Sequence, residues 1–540
     1  MAYKNNNTTK GMYRMKKHKW ITMLLVCMML LLSACSGGAS TEGDNKKSGK
    51  ASGENSATAR GNELVVRVPG DPQNWDPIDT YLIAWSTVAT SVFEGLVSRS
   101  LDLEIQPGLA ESWEYVDDKT IKFKLRQGVT FHDGEPFNAE AVKFTFDRLL
   151  GEEGQKGPQY SNYTSIDRVE IDGEYEITMY LNTIDPVLLT KLSGYGAVIV
   201  PPKYIEEHGA ENFDMNPVGT GPFKMTDYQR DKQVVVERYE DYWNKDEIKL
   251  DKVTFKVIPE TATALAELQT GNIDIMTRLE VSQAATAEST DFVTLMDVST
   301  PTAYSIRFDT AKAPVDDVRV RQAINYAIDK ETIVKEILSG YGNLISSFQS
   351  ELSFGYNKDL QAYPYDPEKA KKLLAEANIA EGTTLDFYIP GTDGTFKEIA
   401  QAVSFYLEEV GLKVSINSVE NTTFQSELIP KGEAGQMYKN GWGGWTLDFD
   451  NTAYLMYHEG EFWNPSYKND KVEKLLSAER ATNDSTERLK IFKELTEVLH
   501  EDATEVNLYS DVEIYGVNKR VKNFQPPHDG RFRFEGVTVE

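Results

Sequence analysis

The sequence is short of basic residues. Lysine and arginine total 57, against 84 aspartates and glutamates, so the formal net charge of the 540 residues is -27. A surface that binds nucleic acid needs a basic stripe to neutralise phosphates, and this composition therefore argues against a nucleic-acid partner. Such a charge is typical of a soluble protein with weak self-association, so we expect a monomer. The length predicts two or three packed lobes.

Catalytic and metal-binding motifs are missing as well. The sequence holds six histidines and no HExxH, GxSxG or GKS/GKT motif. In the stretch FHDGEPF, the side chains of His132, Asp133 and Glu135 could ligate a metal, but no second histidine follows at the i+4 spacing of a helix. A tight turn around Gly134 and Pro136 explains the stretch better. We therefore expect no enzyme activity, no metal and no cofactor.

Cysteine is almost absent, and both cysteines lie in an N-terminal segment typical of a secretory signal. They are Cys27 and Cys35. A basic patch, MKKHKW, begins at Met15 and leads into a charge-free apolar run. The run is too short to span a bilayer permanently, but it suits the apolar core of a signal peptide. We predict that residues 1–34 are a signal peptide whose translation starts at Met1 or at Met15.

The sequence LSAC, which ends at Cys35, resembles the bacterial lipobox. This resemblance implies that Cys35 is lipidated and becomes the first residue of a mature lipoprotein, held on the outer face of the cell membrane of a Gram-positive type of cell. Residues 35–62 are rich in Gly, Ser, Ala, Asn, Lys and Glu, which predicts a flexible linker. The alternative is an ordinary signal peptide with an incidental cysteine. Removal of Cys27 would leave no cysteine pair for a disulfide.

Strand and helix patterns alternate from Glu63 onwards. The stretch IKFKLRQG alternates apolar and basic residues, as a half-buried strand does. Asn138 is a suitable cap for an amphipathic helix, and Asp366 with Pro367 begins another. Gly411 ends the helical pattern FKEIAQAVSFYLEEVG and is followed by the strand pattern LKVSI. Recurring helix-then-strand units indicate an α/β fold.

Several stretches of this body, taken in order, resemble the solute-binding proteins of bacterial peptide and nickel ABC transporters, the extracellular solute-binding family 5. The stretches are LVVRVPGDPQNWDPIDT, VFEGLVSRS, PGLAESWEYVDDKTIKFKLRQGVTFHDGEPFNAEAVKFTFDR, NPVGTGPFKM, YEDYWNK and DVRVRQAINYAIDK. Each one alone consists mostly of strand, turn and helix-cap signals. Together, and in register, they extend the resemblance from about Glu63 to the end of the chain.

The resemblance implies a two-lobed, periplasmic-binding-protein-like α/β fold of the class II (cluster C) type, with a third subdomain inserted in the first lobe. The first lobe would comprise residues 63–99, 213–307 and 507–540, and the inserted subdomain residues 100–212. The second lobe would comprise residues 308–506. Two crossing strands would join the main lobes, with the ligand enclosed between them. The implied function is that of a receptor which delivers short peptides to the permease subunits of an ABC importer.

The stretch GWGGWTLDFDN is the candidate ligand site. Peptide-binding members of the family carry a Trp-x-x-Asp pattern at the cleft, and Trp445 and Asp448 match it. The resemblance implies that the Asp448 carboxylate binds the α-amino group of the peptide. The alternative is that Asp448 caps nearby backbone N–H groups. We expect aromatic side chains to line the cleft, although each could instead pack in a core; they are Trp442, Trp445, Tyr304, Tyr195 and Tyr81.

Other ligands and other classes of protein stay open at this stage. A nickel chelate, an opine or another small polar solute is the alternative ligand within the family, and the scarcity of histidine argues against nickel. A secreted hydrolase would need a nucleophile and a base, which the sequence does not show. A surface chaperone or scaffold would need no closing cleft. The length of the peptide and the group that binds its carboxylate are not determined by any motif.

Overall fold

One long mixed β-sheet runs through the protein, for which a computed structural model describes residues 61–540. The predicted signal peptide at residues 1–34, the lipidation site Cys35 and the linker as far as residue 60 lie outside the described residues. Residues 61–540 belong to one compact unit. Every helix among them is too short or too polar to cross a bilayer.

The strands and helices have the following bounds. The strands are β1 Glu63–Val68, β2 Val97–Arg99, β3 Ile105–Pro107, β4 Ala110–Asp117, β5 Thr120–Leu125, β6 Ile166–Gly173, β7 Glu176–Leu181, β8 Phe223–Gln229, β9 Gln233–Arg238, β10 Lys252–Val257, β11 Ile275–Met276, β12 Val293–Phe308, β13 Gly342–Leu344, β14 Thr383–Pro390, β15 Leu412–Val419, β16 Met437–Trp442, β17 Glu505–Asn518, β18 Val521–Lys522 and β19 Thr538–Val539. The α-helices are α1 Ile83–Ala89, α2 Ala139–Leu150, α3 Leu188–Leu192, α4 Pro202–His208, α5 Ala210–Met215, α6 Thr261–Gln269, α7 Val281–Glu288, α8 Val318–Ala327, α9 Lys330–Thr332, α10 Pro367–Glu376, α11 Gly394–Glu409, α12 Asn421–Thr423, α13 Phe449–Tyr457, α14 Asp470–Glu479 and α15 Ser485–Glu501. Short π-helical turns, Ile333–Ile337 and Phe424–Leu428, follow α9 and α12.

The long sheet has two halves that meet at its two longest strands. Its order is β15-β14-β16-β12-β17-β11-β1-β10-β9-β8, with β13 paired to the side of β17. Strands β12 and β17 run antiparallel, from the pair Val293–Asn518 to the pair Arg307–Glu505. The register shifts between Ser299 and Ala303, where extra residues on β12 interrupt the ladder. These two strands therefore link everything on one side of the sheet to everything on the other.

Separate hydrophobic cores lie on the two sides. Val298 and Tyr515 belong to a core built on β1, β9 and β10, whereas Ile306 and Val506 belong to a core built on β14, α8 and α11. Each of the two linking strands thus contributes residues to both cores. The linkage agrees with the crossing strands that the resemblance implied, while the residue bounds of the lobes stay a prediction.

A second, smaller sheet has its own core. It has the order β4-β5-β7-β6, and α2 packs against it. Strand β5 buries alternate residues, as its apolar-basic alternation predicted. The Asn138 side chain accepts hydrogen bonds from the backbone N–H groups of Glu140 and Ala141 and so caps α2. The predicted start of a helix at Asp366 is also confirmed, with Pro367 in the first turn of α10.

Candidate functional site

The stretch from Gly441 to Asn451 begins at the end of β16, beside the ring of Tyr304. In the register of β16 and β12, Gly441 pairs with Tyr304. A Cβ atom at position 441 would lie 2.8 Å from two carbon atoms of the Tyr304 ring. Glycine is therefore required for the ring to lie against the backbone. Gly444 and Leu447 then turn the chain with positive φ angles of 52° and 58°, and α13 begins at Phe449.

Asp448 lies at the N-terminus of α13, with its side chain buried. One carboxylate oxygen accepts the backbone N–H of Asp450 at 3.0 Å. Both oxygens also accept hydrogen bonds from the guanidinium of Arg488, at 2.7 and 2.8 Å. The residue is 6 % exposed. These contacts support the alternative role of Asp448, a helix cap, because its oxygens are already occupied; binding of a peptide amino group stays a prediction.

Charged side chains are clustered around Asp448. Arg488 donates two further hydrogen bonds to Glu479, at 3.2 and 3.0 Å. Burial, together with the hydrogen bond and the charge of the neighbouring Asp450, raises the pKa of Glu479. Asp450 in turn forms an ion pair with Arg480. The guanidinium groups of Arg480 and Arg488 are therefore shared among three buried acidic side chains, those of Asp448, Asp450 and Glu479.

Trp445 contacts a part of the chain that is distant in sequence. Its ring packs edge-on against Tyr195, with 6.0 Å between ring centroids. The buried Arg99 donates hydrogen bonds to the backbone oxygens of Trp445, at 3.2 Å, and of Thr446, at 3.0 Å. A third bond from the same guanidinium reaches the carbonyl of Thr190. Arg99 thus ties the candidate stretch to the region around residues 190–195.

A cavity of about 790 Å³ opens beside Trp445. Residues 161–191 form one wall, with Asp185 and Lys191 among them, and residues 445–481 form the other. The second wall includes Tyr454 and Arg480, whose guanidinium lies 3.4 Å above the Tyr454 ring. Ligand pockets in proteins commonly enclose about 300–1,000 Å³. The cavity therefore has room for a small polar ligand between two parts of the chain.

The other predicted aromatic residues are in different surroundings. Tyr304 packs against Tyr509, with 5.1 Å between ring centroids. Trp442 packs against Trp463 and donates a hydrogen bond to the Asn451 side chain. Tyr81 is 70 % exposed. The structure thus brings Trp445 and Tyr195 together, places Tyr304 against Gly441, and leaves Tyr81 largely in solvent; ligand contact by any of them stays a prediction.

Both ring nitrogens of His132, the histidine of FHDGEPF, are engaged with the backbone. Nε2 donates to the carbonyl of Gly221 at 3.0 Å, and Nδ1 accepts the N–H of Gly219 at 3.3 Å. Burial lowers the pKa of His132 to about 4, so the ring is neutral. The turn at Gly134 is present, with a positive φ of 95°. Within residues 61–540, no group of His, Cys, Asp or Glu side chains is arranged to hold a metal ion.

A row of polar residues on β17 was not predicted from the sequence. Tyr509, Asp511, Glu513 and Tyr515 alternate along this strand, so their side chains share one face. Arg278 forms an ion pair with Glu513 at 2.9 Å. The period-two pattern YSDVEIY could have indicated this row, but the sequence does not show which face of the strand is buried against the neighbouring strands.

The chain is similar to a known protein family and to several of its members. Residues 104–464 match the family model described as "Bacterial extracellular solute-binding proteins, family 5 Middle". The dipeptide-binding protein of Escherichia coli is 27 % identical over 515 residues, which cover 90 % of this chain and 96 % of that protein. Heme-binding protein A of Haemophilus influenzae is 28 % identical over 556 residues, which cover 96 % and 99 %.

Solved structures show the same fold. The ABC transporter substrate-binding protein CtaP from Listeria monocytogenes matches with a TM-score of 0.83 at 24 % identity, over 89 % of this chain and 99 % of that one. DppA from Helicobacter pylori, in complex with the peptide STSA, matches with a TM-score of 0.74 at 25 % identity, over 88 % and 98 %. These likenesses confirm the two-lobed α/β fold that the sequence predicted.

Proposed function

Because the chain belongs to the bacterial extracellular solute-binding proteins of family 5, we propose that it is the receptor of an ABC importer, which captures short peptides between its lobes and delivers them to the permease. The family consists of solute-binding proteins rather than enzymes, and we infer that this chain likewise releases its ligand unchanged. Relatives named for binding dipeptides, and a solved relative in complex with a peptide, support a peptide as the ligand.

The observation that carries this proposal is the contact of Arg99 with the candidate stretch. Arg99 ends β2, whereas Trp445 and Thr446 follow β16 on the far side of the linking strands. Its hydrogen bonds to their carbonyl oxygens join two parts of the molecule that only β12 and β17 connect within the long sheet. In a receptor that closes over its ligand, contacts of this kind form on closure and are lost on opening.

The function can be tested by binding and by shape. Peptides of two to four residues are titrated into the purified mature protein, with calorimetry, thermal melting and small-angle scattering as readouts. We expect a higher melting temperature, since a ligand at about 100 times its Kd adds about 2.7 kcal/mol of stability, and a smaller radius of gyration. Mass spectrometry should recover the peptide intact. Superimposable scattering curves at saturation would indicate a rigid scaffold, and consumption of the peptide would indicate an enzyme.

Substitution of Arg99 tests the closing contact directly. The change Arg99→Ala removes charged hydrogen bonds to two carbonyl oxygens, and we expect peptide affinity to fall roughly tenfold or more, since such bonds contribute about 1.5–3 kcal/mol each. Arg168→Ala is the matched control, because Arg168 contacts Asp167, Glu170 and the ring of Tyr180, all of which belong to the small sheet. Equal affinities of Arg99→Ala and wild type, with both proteins folded, would remove this contact from the mechanism.

A further inference from the structure

Two tyrosines and an aspartate come together where the halves of the long sheet meet. Tyr304 on β12 pairs in register with Tyr509 on β17, and Asp511 lies two residues further along β17. The two rings are 5.1 Å apart. Arg278 follows β11 on one side, and Lys439 lies in β16 on the other. The group therefore lies between residues contributed by both halves of the sheet.

The other charged groups in this region already have partners. Glu513 accepts a hydrogen bond from Arg278 at 2.9 Å and another from the Tyr515 hydroxyl at 3.4 Å. Lys439 donates to Asp393, and its ammonium lies 5.0 Å from the centroid of the Tyr304 ring. Three carboxylates, those of Asp393, Asp511 and Glu513, thus face two cations. Among the described residues of this region, acidic groups therefore outnumber cations by one.

Asp511 is the acidic group in excess. Within residues 61–540, no side chain donates a hydrogen bond to its carboxylate. Burial and the nearby Glu513 raise the pKa of Asp511 to about 6, and Arg278 and Lys439 only partly oppose the rise. A carboxylate in this position gains from a cation that approaches it.

The hydroxyl of Tyr509 points to a ligand independently of the acidic groups. Tyr509 is only 5 % exposed, yet its hydroxyl makes no hydrogen bond to any described residue. Burial raises the pKa of Tyr509 well above its usual value, and the neighbouring Tyr304 and the charges of Asp511 and Asp393 add to the rise. A buried polar side chain normally has a hydrogen-bond partner. Within residues 61–540 this hydroxyl has no partner, on the side where the Asp511 carboxylate accepts a hydrogen bond from the backbone of Val512 but none from a side chain.

We propose that Asp511 and the hydroxyls of Tyr304 and Tyr509 form a subsite for a primary ammonium group of the ligand. An ammonium group carries three donors, which one carboxylate and two hydroxyls can accept, and the tyrosine rings offer additional attraction for a cation. A guanidinium would need a planar, two-bonded carboxylate contact instead. The proposal rests on the proposed function and deepens it: the receptor selects peptides by an amino group, at Asp511.

The test uses Asp511→Asn, which keeps the shape of the side chain and removes its charge. The control is Asp297→Asn, because Asp297 on β12 is exposed and pairs with Ile514, so it lies on the opposite face of the sheet. Calorimetry compares dialanine, acetyl-dialanine and acetyl-alanyl-lysine amide. We expect Asp511→Asn to weaken the binding of one amine-bearing peptide at least tenfold and to leave that of acetyl-dialanine unchanged. If Asp511→Asn binds dialanine more weakly than wild type does, the subsite takes the amino terminus of the peptide. If it binds the lysine peptide more weakly, the subsite takes the amino group of a side chain.

Two further readouts keep the subsite and the proposed function distinguishable. Binding of the selected peptide to wild type should strengthen as the pH rises from 5 to 7, and this rise should be absent in Asp511→Asn. If wild type binds no peptide, the proposed function fails, and n-butylammonium then tests the subsite alone. If n-butylammonium raises the melting temperature of wild type but not that of Asp511→Asn, the result supports the subsite. Equal behaviour of the two proteins toward the peptides, or toward n-butylammonium, overturns it.

Discussion

Arg488 determines what Asp448 can do, although it lies outside the motif that drew attention to Asp448. In the sequence, a helix cap was only the alternative to binding of a peptide amino group, and the structure shows Asp448 as the cap of α13. The partner guanidinium comes from α15, which docks onto α13 and α14 only in the folded protein. No local pattern in the sequence indicates that pairing. Asp511, whose carboxylate accepts no hydrogen bond from a side chain within residues 61–540, lies on a strand that the motif does not include.

The buried pair predicts a large loss of stability when one partner is removed. Arg488→Ala leaves Asp448 buried without its guanidinium, and we expect the free energy of unfolding to fall by about 3–5 kcal/mol. Urea denaturation measures this loss. Lys490→Ala is the control, since Lys490 is an exposed residue of the same helix, and its effect should be small. A loss of less than about 1 kcal/mol for Arg488→Ala would show that the pair is not structural.

Asp448→Asn then separates the two roles of this aspartate. If Asp448 serves as a cap paired with Arg488, Asp448→Asn should melt at a lower temperature than wild type. It should also keep the wild-type ratio of affinities for free and acetylated peptides. A lost preference for the free peptide would instead support the amine-binding role that the sequence suggested.

At the scale of the elements, local signals predicted the helices better than the strand pairings. Asn138, Asp366 and Gly411 mark helix ends that the structure confirms, because capping depends on neighbours in sequence. The pairing of β12 with β17 joins residues about 200 positions apart. It came from the resemblance to a family, since periodicity alone cannot assign partners to a strand. The row of Tyr509, Asp511 and Glu513 was missed for the same reason.

Glu94 connects three segments of the first core and predicts a dependence of stability on pH. Its carboxyl group accepts hydrogen bonds from Thr220, Tyr242 and Trp243. Burial raises the pKa of Glu94 to about 7. Between the unfolded value of about 4.5 and pH 7, the folded protein keeps a proton that the unfolded chain releases, so this group's contribution to stability falls as the pH rises.

Glu94→Gln removes that contribution. Relative to wild type, the variant should gain on the order of 1–3 kcal/mol in the free energy of unfolding between pH 4.5 and pH 7.5. Opposite contributions, such as that of His132, are present in both proteins and cancel in the difference. Glu206→Gln is the control because Glu206 is exposed. The difference between its free energy of unfolding and that of wild type should not change with pH. A flat difference for Glu94→Gln would show that the carboxyl group ionises normally.

At the scale of the whole molecule, the proposed receptor must stay close to its permease. We propose that a lipid on Cys35 holds it there, outside the cell, although Cys35 lies outside the described residues. Six stretches spread over the chain carried the resemblance to the family, and the two-lobed fold was what that resemblance implied. The ligand could not be predicted in this way, because the cavity beside Trp445 and the polar row on β17 combine residues from segments that are distant in sequence.

The anchor can be tested without the structure. Cys35→Ala removes the sulfur on which the lipid would be attached, and we expect the protein to move from the membrane fraction to the medium with an unchanged melting temperature. Stable attachment takes two anchoring signals, such as two acyl chains, so the loss should be nearly complete. Ser36→Ala serves as the neighbouring control. Membrane association that survives Cys35→Ala would contradict lipid anchoring at this residue.

The position of β17 in the long sheet also constrains the order in which the chain can fold. This strand lies between β12 and β11, yet it is formed by residues 505–518, which follow every other strand of the long sheet in chain order. Neither half of the sheet can be completed until those residues arrive. Such late, long-range pairing slows folding and keeps the growing polypeptide open during synthesis. An unfinished chain is the form that can be threaded through a narrow export channel, so this topology is compatible with the export that the predicted signal peptide implies.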